Sequence, residues 1–495
     1  MGLVGRARAV AAALALAGAL LATAAAARPP RQGVLSLAPC QLVHPTAPAR
    51  TAARCGSLQV PEDHTRPDGR RIALRVAVVD ADGSRPAPDP VFFLAGGPGQ
   101  AATEGYPLMA PAFARVVKDR DVVLVDQRGT GGSARLSCPD RDEGAKALVR
   151  GEEEEIRALT ACARIQTADL TQYTTDAFAK DLDLVRAALG YEKVNLVGVS
   201  YGTRAALVYL RHYPDRVRTL VLDGVAPMQM PVGGYFERDA QRALDLAFLR
   251  CRKDPACHAR FPDPGRDLDE LLRRLERRPA PVRVRHPVTG EVTPIDLKAD
   301  VLRQMVFGFS YATETVALLP LLLSRARAGD LAPLASQALL VAEEVQAGLS
   351  RPLQLSVLCA EDVPFIPGEP SGAGRGRYLG RVVRSAYREM CRVWPHGRVD
   401  ASFKEPVRSR VPALLLSGEA DPVTPPEWAE LAARDLPDAR RLTLAGQGHG
   451  VLLRGCMPRL VAGFLSAGAA GSLDASCLDA ARPAPFFLDL SGPAP

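Results

Sequence analysis

The stretch "VNLVGVSYGTR", Val194 to Arg204, sets an apolar, β-branched run directly against a serine held between two glycines. A short continuous apolar run of this kind reads as a strand buried on both faces. The "RAALVYLRHYP" that follows has helical spacing and stops at Pro214. A serine on a tight strand-to-helix turn needs small neighbours, and Gly198 and Gly202 supply them. Ser200 is therefore a candidate nucleophile. The pattern G-x-S-x-G alone is weak, and a structural glycine turn is the plain alternative.

Outward from this turn the same rhythm repeats. "RIALRVAVVDA" (Arg71 to Ala81) alternates like an edge strand, whereas "VFFLA" (Val91 to Ala95) and "DVVLVD" (Asp121 to Asp126) are continuous apolar runs. "AFAKDLDLVRAALG" is helical and ends on Gly190, and "VRTLVLDG" is another strand. Alternating strands and helices predict a mostly parallel sheet with helices on both faces. The rhythm breaks over residues 226–405, where helical spacing dominates, and resumes at "VPALLLSG" and "ARRLTLAG". The economical organisation is one α/β core, residues 28–225 and 406–495, interrupted by a mainly helical cap at 226–405.

Residues 1–27 differ in kind. Arg6 and Arg8 precede an Ala/Leu run and the small residues Ala25-Ala26-Ala27, the layout of a secretory signal. An uncleaved anchor is the alternative, and no second apolar run is long enough to cross a bilayer. Losing Arg6 and Arg8 reduces the formal charge from +7 to +5. The arginines are scattered without interleaved aromatics, which argues against a nucleic-acid partner. The acidic run "GEEEE" at Gly151 reads as a helix start. All ten cysteines lie beyond the signal, an even number with no C-x-x-C, as expected of pairing in an oxidising compartment outside the cytoplasm, periplasmic or extracellular. Pairing through short loops gives Cys40–Cys55, Cys138–Cys162, Cys251–Cys257, Cys359–Cys391 and Cys456–Cys477; spacing alone does not fix this connectivity.

A serine hydroxyl needs a base. Of the histidines after Ser200, His212 ends a helix, His258 adjoins Cys257, and His286 and His396 fall in the insertion. His449, in the Gly-rich loop "LAGQGHGVLL" after the last strand, is the candidate. Its orienting carboxylate is expected in "LLLSGEADPVTPP": Asp421, with Glu419 as competitor. The order Ser200, Asp421, His449 is that of α/β-hydrolases. Oxyanion donors are expected from the backbone N–H of Tyr201 and from the loop "FFLAGGPGQ", where Gly97 is the candidate.

These segments, "GGPG", "DQRGTGGS", "GVSYGTR", "GEADPVTPP" and "GQGHG", resemble the proline iminopeptidase and tripeptidyl aminopeptidase group of α/β-hydrolases, in order, over about residues 55–480. The resemblance implies an α/β-hydrolase fold with a helical cap and a TAP-like C-terminal region, exopeptidase action on free N-termini, and no metal or other cofactor. It lends support to the last three cysteine pairs. It assigns "DQRGTGGS" a supporting role, with Asp126 and Arg128 in buried polar contacts. One departure is Ala95, where the group often carries histidine before GGPG. "SVLCAEDVPF" resembles the segment where secreted relatives leave the cap. Glu361 and Asp362 there are candidates for binding the substrate ammonium, against a fold-supporting role as salt bridge or helix cap. The expected function is a secreted serine aminopeptidase on peptide substrates. An esterase acting on small esters with the same triad, or an inactive binding protein of the same fold, are the alternatives. Oligomeric state is not legible.

Overall fold

The computed structural model describes residues 35–138, 150–368, 378–380, 382–471 and 473–493, so the signal-like segment lies outside the described residues. Nine strands form one sheet in the order β1-β2-β3-β5-β4-β6-β7-β10-β11. They are β1 (Ala38–Val43), β2 (Arg50–Pro61), β3 (Arg71–Val79), β4 (Val91–Leu94), β5 (Val122–Val125), β6 (Val194–Val199), β7 (Val217–Asp223), β10 (Ala413–Gly418) and β11 (Ala439–Leu444). From β5 to β11 all neighbours are parallel, and β1 to β3 add an antiparallel edge.

The apolar runs become the strands in the middle of this sheet because both of their faces are covered. In β4, Phe92 and Leu94 point into one core with the helices Thr175–Ala188 and Tyr201–His212. Val91 and Phe93 point into the opposite core with the helices Ala102–Phe113 and Met457–Ala467. This is the period-two alternation of a pleated strand. The helix Tyr201–His212 is buried along its first ten residues, covered by sheet on one side and by other segments around the rest.

Between β7 and β10 the chain is mainly helical, from Phe236–Lys253 to Val382–Val393, and packs around a core of its own that includes Phe236, Leu244, Leu302 and Leu323. The sequence reading assigns no strand here, yet a hairpin of β8 (Ala280–Arg285) and β9 (Val292–Leu297) is present. Its alternation of buried Val282 and Val284 with exposed neighbours, closed by a Thr-Gly turn, is the local signal for it.

Five disulfides join Cys40–Cys55, Cys138–Cys162, Cys251–Cys257, Cys359–Cys391 and Cys456–Cys477. Each closes a short loop, so each limits the unfolded chain locally. Among the described residues no helix is long and apolar enough to cross a membrane.

Candidate active site

Ser200 lies between β6 and the helix Tyr201–His212 with φ +56° and ψ −124°, one of two non-glycine residues with positive φ among the described residues. An L-residue tolerates this conformation only when its surroundings impose it. They do so here by close backbone packing. A Cβ on Gly198 would collide with the carbonyl of Gly202, and one on Gly202 with the carbonyl of Leu94 in β4. The turn is pressed onto the neighbouring strand, which explains why the serine sits between glycines. The Ser200 N–H donates to the carbonyl of Asp223 at the end of β7 (2.8 Å).

Asp421 and His449 come from the loops after β10 and β11. The His449 Nδ1–H donates to Asp421 Oδ2 at 2.7 Å, and the Asp421 side chain is 0 % exposed. Asp421 also accepts from the backbone N–H groups of Val423 and Thr424 and from the Thr424 hydroxyl, at 2.8, 2.8 and 2.9 Å. With every lone pair so directed, the carboxylate stays ionised. Burial works to raise its pKa, but the imidazole and these donors outweigh burial and hold it below the usual range. His449 is shifted the other way. Burial opposes the imidazolium, and Asp421 with Asp223 overcomes it, so its pKa lies above the ordinary value. In the neutral ring Nδ1 carries the proton and Nε2 is the acceptor. Glu419, the competing acid, accepts from the N–H of Gly446 at 2.8 Å.

Three further residues complete this arrangement, Asp223 and Tyr311 from outside the motifs and Thr424 from within "GEADPVTPP". The Asp223 carboxylate accepts from the N–H groups of Val451 and Leu452 (2.9 and 2.8 Å), so the residue whose carbonyl holds Ser200 also holds the histidine loop. Burial pushes its pKa up to about 6. Thr424 Oγ lies 3.1 Å from His449 Nδ1. Tyr311, from the helical segment, accepts the His449 N–H on its carbonyl (2.8 Å), and its ring meets the imidazole edge-on at 5.4 Å. An acid at a strand end was visible as "LVLDG", whereas nothing local in the sequence marks Tyr311.

Gly97, in the GGPG loop, has φ +109°, a conformation that glycine adopts freely. A Cβ on Gly96 would lie 3.0 Å from the Cβ of Ser200, so this loop abuts the serine. With Ala95 in place of histidine, Ser350 is one tie of the loop: it donates its N–H to the carbonyl of Gly99 (2.8 Å) and its hydroxyl to that of Leu136 (2.8 Å). The Tyr201 side chain turns away into the core, where its hydroxyl meets Gln127 (3.1 Å) and Thr175 (2.6 Å). Asp126 accepts from Thr103 and Gly132, and Arg128 forks onto Asp181 at 2.7 Å through two nitrogens; both are 0 % exposed.

Glu361 and Asp362 lie inside the fold. Both are 0 % exposed. Glu361 accepts from the N–H and hydroxyl of Thr175 (2.6 Å each), capping the first turn of Thr175–Ala188, where a carboxylate suits the helix dipole. Asp362 Oδ1 accepts from Arg204 (2.6 Å), Lys404 (2.9 Å) and the N–H of Val232 (2.9 Å). Glu361 thus serves as a helix cap and Asp362 Oδ1 as the acceptor of a buried ion pair, which accords with the fold-supporting alternative.

A cleft of about 370 Å³ reaches this region, bounded by Gly96 and Val199 on one side and by Tyr311 and Ala312 of the helical segment on another. Among the described residues no group of three His, Cys, Asp or Glu is arranged to hold a metal.

Residues 89–275 match the family described as alpha/beta hydrolase fold, and residues 377–477 the family described as TAP-like protein. A tripeptidyl aminopeptidase of Streptomyces coelicolor is 27 % identical over 464 residues, which span 87 % of this chain and 84 % of the relative. The serine protease Hip1 of Mycobacterium tuberculosis is 31 % identical over 237 residues, spanning 44 % of this chain and 45 % of that one. This chain has the α/β-hydrolase fold and is similar to serine peptidases. A carboxylesterase B of M. tuberculosis is 28 % identical over 236 residues, 44 % of this chain and 45 % of its own. In this α/β hydrolase the TAP-like match runs from the end of the helical segment through β10 and β11, the stretch that carries Asp421 and His449.

Proposed function

We propose that the protein is an exported serine aminopeptidase. The observation that carries the catalytic part is the 2.7 Å bond between His449 and the fully buried Asp421, held by Asp223 against the turn on which Ser200 is strained. Ser200 Oγ attacks the scissile carbonyl and passes its proton to His449 Nε2. The leaving amine takes that proton as the C–N bond breaks, and water, deprotonated by the same histidine, hydrolyses the acyl-enzyme. The N–H groups of Gly97 and Tyr201 receive the oxyanion. The aminopeptidase part is supported by the similarity to a tripeptidyl aminopeptidase along most of both chains. Export is supported by the five disulfides and the signal-like residues 1–27.

A panel of free and N-acetylated aminoacyl, prolyl and tripeptidyl chromogenic substrates tests the reading. Free peptides are expected to be cleaved and their acetylated forms left intact. Equal turnover of both removes the aminopeptidase reading and promotes the esterase alternative, which the similarity to a carboxylesterase favours.

The pH profile follows from the histidine. As general base His449 must be neutral, and its pKa is raised by Asp421 and Asp223 against burial, so activity falls on the acid side with a midpoint above that of an ordinary histidine. Asp223→Asn removes one of the charges that stabilise the imidazolium, so the midpoint moves to lower pH. An unmoved or raised midpoint in this variant contradicts the assignment.

A further inference from the structure

The cleft bounded by Gly96 and by Val199, the residue before Ser200, is lined largely by apolar side chains and glycines, with Phe93, Leu108, Met109 and Val341 among them. Among the described residues its lining contains one carboxylate, Glu104. Glu104 stands in the first turn of the helix Ala102–Phe113, directly after the GGPG loop. Its Oε2 lies 3.9 Å from where a Cβ on Gly348 would be, and the next residue, Leu349, lies 3.2 Å from the equivalent point on Gly97. The carboxylate and the loop that abuts Ser200 therefore share one short wall of the cleft.

We propose that Glu104 receives the free α-ammonium of the peptide substrate and so selects for unblocked N-termini. The proposal rests on the aminopeptidase reading above and gives that selection a residue. An ammonium entering an apolar cleft loses hydration and needs a charged acceptor. Glu104 has capacity for one. Its partner is Arg135, which reaches it through a single nitrogen at 3.3 and 3.5 Å. Both side chains of that pair are partly exposed, 36 % for Arg135 and 28 % for Glu104. Such pairs are loosely held, and an ionised carboxylate has about four lone-pair sites. Burial is the largest influence on Glu104 and raises its pKa, as expected of a carboxylate that its arginine compensates incompletely.

Kinetics of Glu104→Gln and Arg135→Met test this, with a free tripeptidyl anilide and a short acyl ester that carries no ammonium. For Glu104→Gln the KM for the free peptide is expected to rise about tenfold or more, the effect of a lost charge-assisted contact, with kcat changed far less. Ester turnover should stay at the wild-type level, which also reports that the variant is folded. Arg135→Met should leave the peptide KM unchanged or lower it. If Arg135→Met reproduces the Glu104→Gln defect, or if Glu104→Gln slows ester and peptide alike, Glu104 is only a structural partner and the proposal is overturned. A wild-type enzyme that requires a free amine, with an unchanged KM in Glu104→Gln, overturns the Glu104 assignment alone. Equal wild-type turnover of acetylated and free peptide overturns the aminopeptidase reading, and this proposal with it.

Discussion

Ser200→Ala is expected to lose all fluorophosphonate labelling and to lower kcat by about 10⁵- to 10⁶-fold, while its melting temperature stays at the wild-type value. The variant removes one oxygen and leaves the Cβ, so the backbone at φ +56° bears the same strain as before. The oxyanion donors and the cleft also remain, so a small residual rate over water is expected. Ser200→Gly separates strain from chemistry. Glycine adopts this conformation freely, so the variant should be as inactive as Ser200→Ala yet more stable by about 1 kcal/mol. Asp421→Asn should also be severe, about 10⁴-fold, because it favours the wrong histidine tautomer. Substantial turnover or labelling in a clean Ser200→Ala preparation rules out Ser200 as nucleophile.

The second large effect concerns stability. Arg204 lies in the helix that follows Ser200, is 0 % exposed, and donates to Asp362 at 2.6 Å and to the carbonyls of Pro227 (3.3 Å) and Met230. Asp362 is also bound by Lys404, so this cluster clamps the nucleophile's helix to the helical segment and to the approach to β10. Burial works to raise the Asp362 pKa, and the two cations outweigh it and hold it below the usual range. Arg204→Met strands part of that charge in the interior and is expected to cost about 3–5 kcal/mol in denaturant unfolding. The double variant Arg204→Met/Asp362→Leu removes both partners and should be less destabilised than the sum of the single changes. A single-variant loss below about 1 kcal/mol would show that the pair contributes no more than a surface one.

The parts of this protein legible in its sequence are those whose physics is local. A strand run, two glycines and a helix start within eleven residues dictate a crowded turn, so Ser200 stands out without any partner in view. Asp421 and His449 are legible for a related reason: each follows an apolar strand run in a glycine-rich or proline-stiffened loop. Tyr311 and Glu104 carry no such signature, and Asp223, although it ends the run "LVLDG", gives no local sign of its bond to the histidine loop. Their places follow from contacts across the chain, such as that between Tyr311 and the histidine it supports, 138 positions further on. The acids of "CAEDVPF" show the limit most clearly. As sequence they are two carboxylates beside a tethered cysteine, equally suited to a ligand or to the fold. Their role depends on burial and on partners such as Thr175 and Arg204, more than 150 residues away, and those are properties of packing that no short segment encodes. The sequence by itself determined the α/β frame and the turn and loops of the candidate triad, because backbone sterics and strand burial act over a few residues. Tertiary structure alone decided which carboxylates are sealed into the fold and which one lines the cleft, because solvent access and charge pairing are settled only when distant segments meet.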